Sequence, residues 1–137
     1  MRLAIVTCMD ARIDPNPALG LAIGDAHVIR NAGATVCDDV LRSLVLSQRL
    51  LGTRAVRVVG HTSCGLLDLD EAKVAHEIAR EVGQHLPFDL GAFFNIDDHV
   101  REQVETVRGC PWLLHVDDVL GHVFDVETGT LRDVSVG

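Results

Sequence analysis

Short, β-branched apolar runs alternate with stretches of helical periodicity, and this alternation limits the fold more tightly than any other feature of the chain. Leu3 to Cys8 (LAIVTC), Ala26 to Arg30 (AHVIR), Ala55 to Val59 (AVRVV) and Trp112 to Val116 (WLLHV) each read as a buried strand. Between them, Asp38 to Leu51 (DDVLRSLVLSQRLL) carries Val40, Leu41, Leu44, Val45, Leu50 and Leu51 on one broad face. Asp38 or Asp39 is placed to cap this helix and Gly52 to stop it. A second helix is expected from about Asp68 to Val82, and a third, more polar one from Asp97 to Val107. Gly121 to Asp133 reads as a hairpin turning at Thr128-Gly129. Strands alternating with helices favour a central, mostly parallel sheet covered on both faces, here with a C-terminal hairpin or edge strands. The fold class is α/β.

No repeat, low-complexity tract or Pro/Gly/Ser linker divides the 137 residues, so one domain over 1–137 is expected. Hydrophobic residues make up 47% of the chain, enough to fill a packed core. The formal charge of −8 argues against nucleic acid, whose phosphates demand a Lys/Arg surface. No apolar run reaches the ~20 residues of a membrane helix, and no basic stretch precedes an apolar block at the N-terminus. A cytoplasmic protein with a small ligand, and with neither membrane nor nucleic acid as partner, is the expectation. In such a compartment Cys8, Cys37, Cys64 and Cys110 serve metal binding, catalysis or plain packing more readily than disulfides.

In open α/β sheets, ligand groups collect at the carboxyl ends of the strands. Cys8-Met9-Asp10-Ala11-Arg12 follows the first strand and His61-Thr62-Ser63-Cys64-Gly65 follows the third. Two thiolates and an imidazole suit zinc, and three protein ligands leave a fourth tetrahedral position open. The same residues would also serve as ordinary buried side chains, since H-x-x-C arises often by chance. In an extended segment Cys8, Asp10 and Arg12 project to one side. A carboxylate beside a metal would then be held ionised by the guanidinium, and the bland alternative is a surface ion pair. His99, His115 and His122 are expected at the surface or an interface, and Cys37 and Cys110 as free thiols.

C-x-D-x-R at Cys8–Arg12, H-x-x-C at His61–Cys64 and Arg30-Asn31-Ala32-Gly33 between them resemble the β-class carbonic anhydrases, in particular their smaller bacterial branch. The resemblance implies one Zn2+ per chain on Cys8, His61 and Cys64, with Asp10 and Arg12 as the catalytic dyad. His27, Ala32 and Gly65 fall where the family lines its substrate cleft. It further implies a homodimer or higher homo-oligomer and the reversible hydration of CO2 to bicarbonate by zinc-bound hydroxide. Two thiolates acidify water less than three histidines would, so activity is expected to rise at alkaline pH. In some members the aspartate itself binds zinc in a second state. Relatives that hydrolyse carbonyl sulfide or carbon disulfide supply an alternative, and a non-catalytic zinc-binding module a further one. The chain begins almost at its first strand, whereas family members carry an upstream helical arm that wraps the partner, so a domain lacking that arm is expected.

Overall fold

The computed structural model describes residues 2–136. Five strands, β1 (Leu3–Cys8), β2 (Ala26–Asn31), β3 (Ala55–His61), β4 (Val119–Phe124) and β5 (Leu131–Val134), form one sheet in the order β2-β1-β3-β4-β5. All neighbours are parallel except β4 and β5, which pair antiparallel as the C-terminal hairpin. The helices are α1 (Pro15–Ala18), α2 (Asp38–Arg49), α3 (Glu71–Val82) and α4 (Ile96–Arg108).

The central strands are apolar on both sides because both sides are covered. Ala4, Val6, Val56 and Val58 face Val40 and Leu44 of α2 and Val100, Val104 and Val107 of α4. Ile5, Val59 and Phe124 face the other way, under Ile13, Leu19 and Leu21 of the β1–β2 connection. That connection contains only the single turn of α1, so the second cover is far thinner than the first.

Two glycines let α4 lie close on the sheet. An added Cβ would come 2.8 Å from Val100 at Gly60 and 2.6 Å from Val100 at Gly121. The start of α4 is set by Asn95, whose side-chain oxygen accepts the Asp98 N–H at 3.0 Å.

The structure corrects four expectations. Trp112–Val116 is not a strand; the fourth strand is β4, from Val119. Side chains of α2 take the place of a neighbouring strand along that run. Gln48 donates to the His115 carbonyl and accepts the His115 N–H, both at 2.9 Å, and Arg49 donates to the Trp112 carbonyl at 2.7 Å. Helix α2 starts after Cys37, with no side-chain cap; Asp38 and Asp39 lie inside its first turn, where negative charge suits the helix dipole. Helix α3 begins at Glu71 rather than near Asp68, because Asp68 takes a left-handed φ of 60° and Asp70 caps the helix. Finally, His99 and His122 are buried rather than at the surface.

Candidate metal centre

Strand order places the site. Because β2 and β3 flank β1 on opposite sides, a crevice opens at the carboxyl ends where the chain direction across the sheet reverses. Cys8 is the last residue of β1 and His61 the last of β3; Cys64 follows on the next turn. Their ligand atoms all lie within 4.8 Å of one another, and all three side chains are buried.

His61 Nδ1 lies 2.7 Å from the Thr62 carbonyl, so it carries the ring proton and leaves Nε2 as a bare lone pair. That Nε2 is buried and has no hydrogen-bond partner among the described residues. An orphaned buried acceptor is costly unless something binds it. Burial by itself pushes the His61 pKa down, but the Cys8 sulfur, the Thr62 carbonyl and Asp10 outweigh it and raise it. The hydrogen bond with Cys64 lowers the Cys8 pKa, and the same bond, followed by burial, raises that of Cys64. Divalent zinc between them would let both stay deprotonated. Donor types, spacing and the orphaned nitrogen fit zinc.

Asp10 sits at the rim of this set, with Oδ2 3.8 Å from His61 Nε2. Arg12 grips it twice, Nε to Oδ1 at 3.0 Å and Nη2 to Oδ2 at 2.7 Å, and adds its backbone N–H to Oδ1 at 2.8 Å. The Arg12 side chain and then its N–H hold the Asp10 carboxyl well below the usual carboxylate range. The segment is a tight turn rather than the extended stretch expected, with the Ile13 N–H on the Asp10 carbonyl, yet the two side chains still meet. Arg12 also donates to the Ser63 carbonyl at 2.9 Å, joining the loop after β1 to the loop after β3.

A hollow of about 240 Å³ opens onto these groups, lined by Cys8, Asp10, Ala32, Cys64, Gly65 and Leu66 among others. Its walls are mostly apolar and small. Larger hollows of about 550 Å³ along α4 and 560 Å³ against α3 contain none of the donor set.

Residues 3–131 match the family described as carbonic anhydrase. β-Carbonic anhydrase 1 of Mycobacterium tuberculosis is 41% identical over 133 residues, covering 97% of this chain and 82% of that protein. The chain belongs to the β-carbonic anhydrase family. The crystal structure of carbonic anhydrase from Streptococcus mutans superposes with a TM-score of 0.92 at 41% identity, covering 98% of this chain and 81% of that one. A carbon disulfide hydrolase of Acidithiobacillus thiooxidans is also related, at 31% identity over 152 residues, covering 96% of this chain and 76% of that protein.

Of the residues singled out from sequence, Cys8, Asp10, Arg12, Ala32, His61, Cys64 and Gly65 converge on this crevice. His27 does not reach it within one chain. It pairs with Ala4 while Asn31 pairs with Cys8, which puts it about 13 Å down the sheet at the usual strand rise. There its Nδ1 bonds Ser47 Oγ at 2.7 Å. Cys37 and Cys110 are free thiols, as expected.

Sequence reasoning missed the groups that hold the loops. Arg30 donates to the carbonyls of Cys8, Asp10 and Ile13 at 2.9, 2.8 and 3.0 Å, fixing the turn that carries the dyad. Its place in Arg30-Asn31-Ala32-Gly33 was the available signal. Glu71 accepts the N–H groups of Leu90, Gly91 and Ala92, tying the chain before Phe93 to the start of α3. Ala92 first, then Leu90 and Gly91, lower the Glu71 pKa.

Proposed function

We propose that this chain, as a single domain over 1–137, catalyses the reversible hydration of carbon dioxide to bicarbonate and a proton. One Zn2+ would be held by Cys8, His61 and Cys64, supplying the Lewis acidity that brings the ionisation of water from about 15.7 toward neutrality. The observation that carries the reading is the doubly gripped Asp10–Arg12 pair at the rim of the Cys8–His61–Cys64 set.

Asp10 accepts a hydrogen bond from the attacking water and aims its lone pair into the crevice. Arg12 keeps that carboxylate ionised, so it stays an acceptor rather than becoming an acid. The apolar walls at Ala32, Gly65 and Leu66 suit a small linear gas without charge and offer bicarbonate little to hold it. The proton lost from water leaves past Arg12, whose side chain is 51% exposed.

Two or more copies would assemble in the cytoplasm. In support, α3 has no buried residue, and Val82 and Phe88 stand exposed on or beside it. A monomer by sedimentation would remove that part of the proposal.

The relatedness to a carbon disulfide hydrolase supports a second reading, hydrolysis of carbon disulfide or carbonyl sulfide on the same groups. Initial rates on the three gases, measured side by side with zinc-loaded protein, decide between them. Carbon dioxide is expected to turn over fastest, and a faster rate on either sulfur compound would transfer the assignment.

A further inference from the structure

A buried string of hydrogen bonds runs from the threshold of α2 to the Cys8 sulfur, and the chemistry described above makes no use of it. The Val36 N–H donates to Gln103 Oε1 at 2.7 Å. With its oxygen committed, Gln103 turns its amide NH2 toward His99 Nδ1, 3.4 Å away, making that nitrogen the acceptor. The ring proton therefore sits on Nε2, which donates to the Gly33 carbonyl at 2.8 Å. Phe93 stacks on the imidazole with centroids 4.0 Å apart and an interplanar angle of 12°. His99 and Gln103 are both buried. At the far end, the Gly33 N–H donates to Cys8 Sγ at 3.3 Å.

Gly33 is the pliable link in this string. Its φ of 81° lies in the left-handed region, and a Cβ there would meet Leu66 at 2.7 Å, so no larger residue can stiffen the position. The stiffness has to be supplied from outside, and His99 supplies it by pinning the carbonyl.

We infer that His99 is a positioning residue: by holding the Gly33 carbonyl it keeps the Gly33 N–H on the Cys8 sulfur and so sets how strongly that thiolate donates to a metal. An N–H···S bond withdraws charge from sulfur, and hydrogen bonds of this kind tune the metals that thiolates hold. With two anionic sulfurs in the donor set, the withdrawal keeps the metal a stronger Lewis acid. The inference rests on Cys8 as a ligand.

Cobalt(II) in place of zinc separates the two statements. The cobalt-loaded wild type is expected to show a sulfur-to-cobalt charge-transfer band, and its absence would remove thiolate ligation itself. His99→Phe keeps the aromatic stack and loses both nitrogens. Its band is expected at longer wavelength, with Gly33 amide exchange faster than in the wild type. His99→Gln, which retains a donor, is expected to move the band back toward the wild-type position. An unshifted band with unchanged Gly33 exchange in folded His99→Phe would overturn the role of His99. The wild-type chain offers a test that needs no substitution. Its nitrogen-15 histidine spectrum is expected to show His99 protonated on Nε2 alone, and a proton on Nδ1 would overturn the inference.

Discussion

His61 and His99 are both buried, and they are wired in opposite senses. His61 gives its Nδ1 proton to the Thr62 carbonyl and presents a bare Nε2 to two sulfurs and a carboxylate. His99 spends both nitrogens within the protein, one on Gln103 and one on Gly33. Burial thus does not mark a metal ligand. An unspent nitrogen facing other donors does. His122 makes the point from a third side: its Nε2 is also unpartnered, but its Nδ1 bonds Asp133 and no other metal-ligating group gathers round it among the described residues.

The sharpest way to break the contrast is to remove each histidine in turn. His61→Ala is expected to abolish stoichiometric zinc binding and to lower carbon dioxide hydration by well over about 100-fold, the upper range for an outer-shell loss. Metal analysis checks it, and a fully loaded variant would remove His61 from the ligand set. His99→Phe should stay loaded. Asp10→Ala comes next, with zinc retained and turnover down by about 100-fold, the scale of loss when an attacking group is no longer held in line. Arg12→Ala should act through Asp10, so the double variant should be no slower than the worse single one. Additive losses in stopped-flow rates would separate the two roles.

Stability effects sharpen the comparison from the α4 side. Gly121→Ala is expected to cost about 1–3 kcal/mol by overpacking against Val100, read from urea unfolding. A neutral cost would mean that α4 shifts freely and does not fix His99. His99 also predicts a pH dependence. Burial lowers its pKa in the fold, so the neutral ring is the stabilising form. That contribution is complete above the unfolded value of about 6.5 and fades as the pH falls through the lower, folded value. The acid-side loss should be shallower in His99→Phe than in the wild type. The smallest effect belongs to the pair of Arg132 and Asp97, which joins β5 to α4 at the surface. Arg132→Ala should cost at most about 1 kcal/mol, and less at high salt.

Much of this architecture was legible from the chain. Strand β1 was predicted to the residue, and β2, β3, α2 and α4 to within a residue or two at either end, because short β-branched runs and amphipathic periods state their type locally. The candidate donor set was legible too, since its members lie at strand ends that the alternation itself locates. Trp112–Val116 was misread because an apolar run does not say what will satisfy its backbone. Here Gln48 and Arg49 do so from α2, a choice made only when distant segments meet. Arg30, Glu71 and His99 escaped for the same reason. Each acts on backbone groups far away in sequence, and backbone N–H and carbonyl groups leave no trace in residue identity.

Stopped-flow hydration of carbon dioxide from about pH 6.5 to about pH 9, with zinc quantified on the same sample, tests the account most directly. One zinc per chain and a rate that climbs with pH are expected, as befits water ionised beside two thiolates. Full zinc occupancy with no hydration at any pH would contradict it.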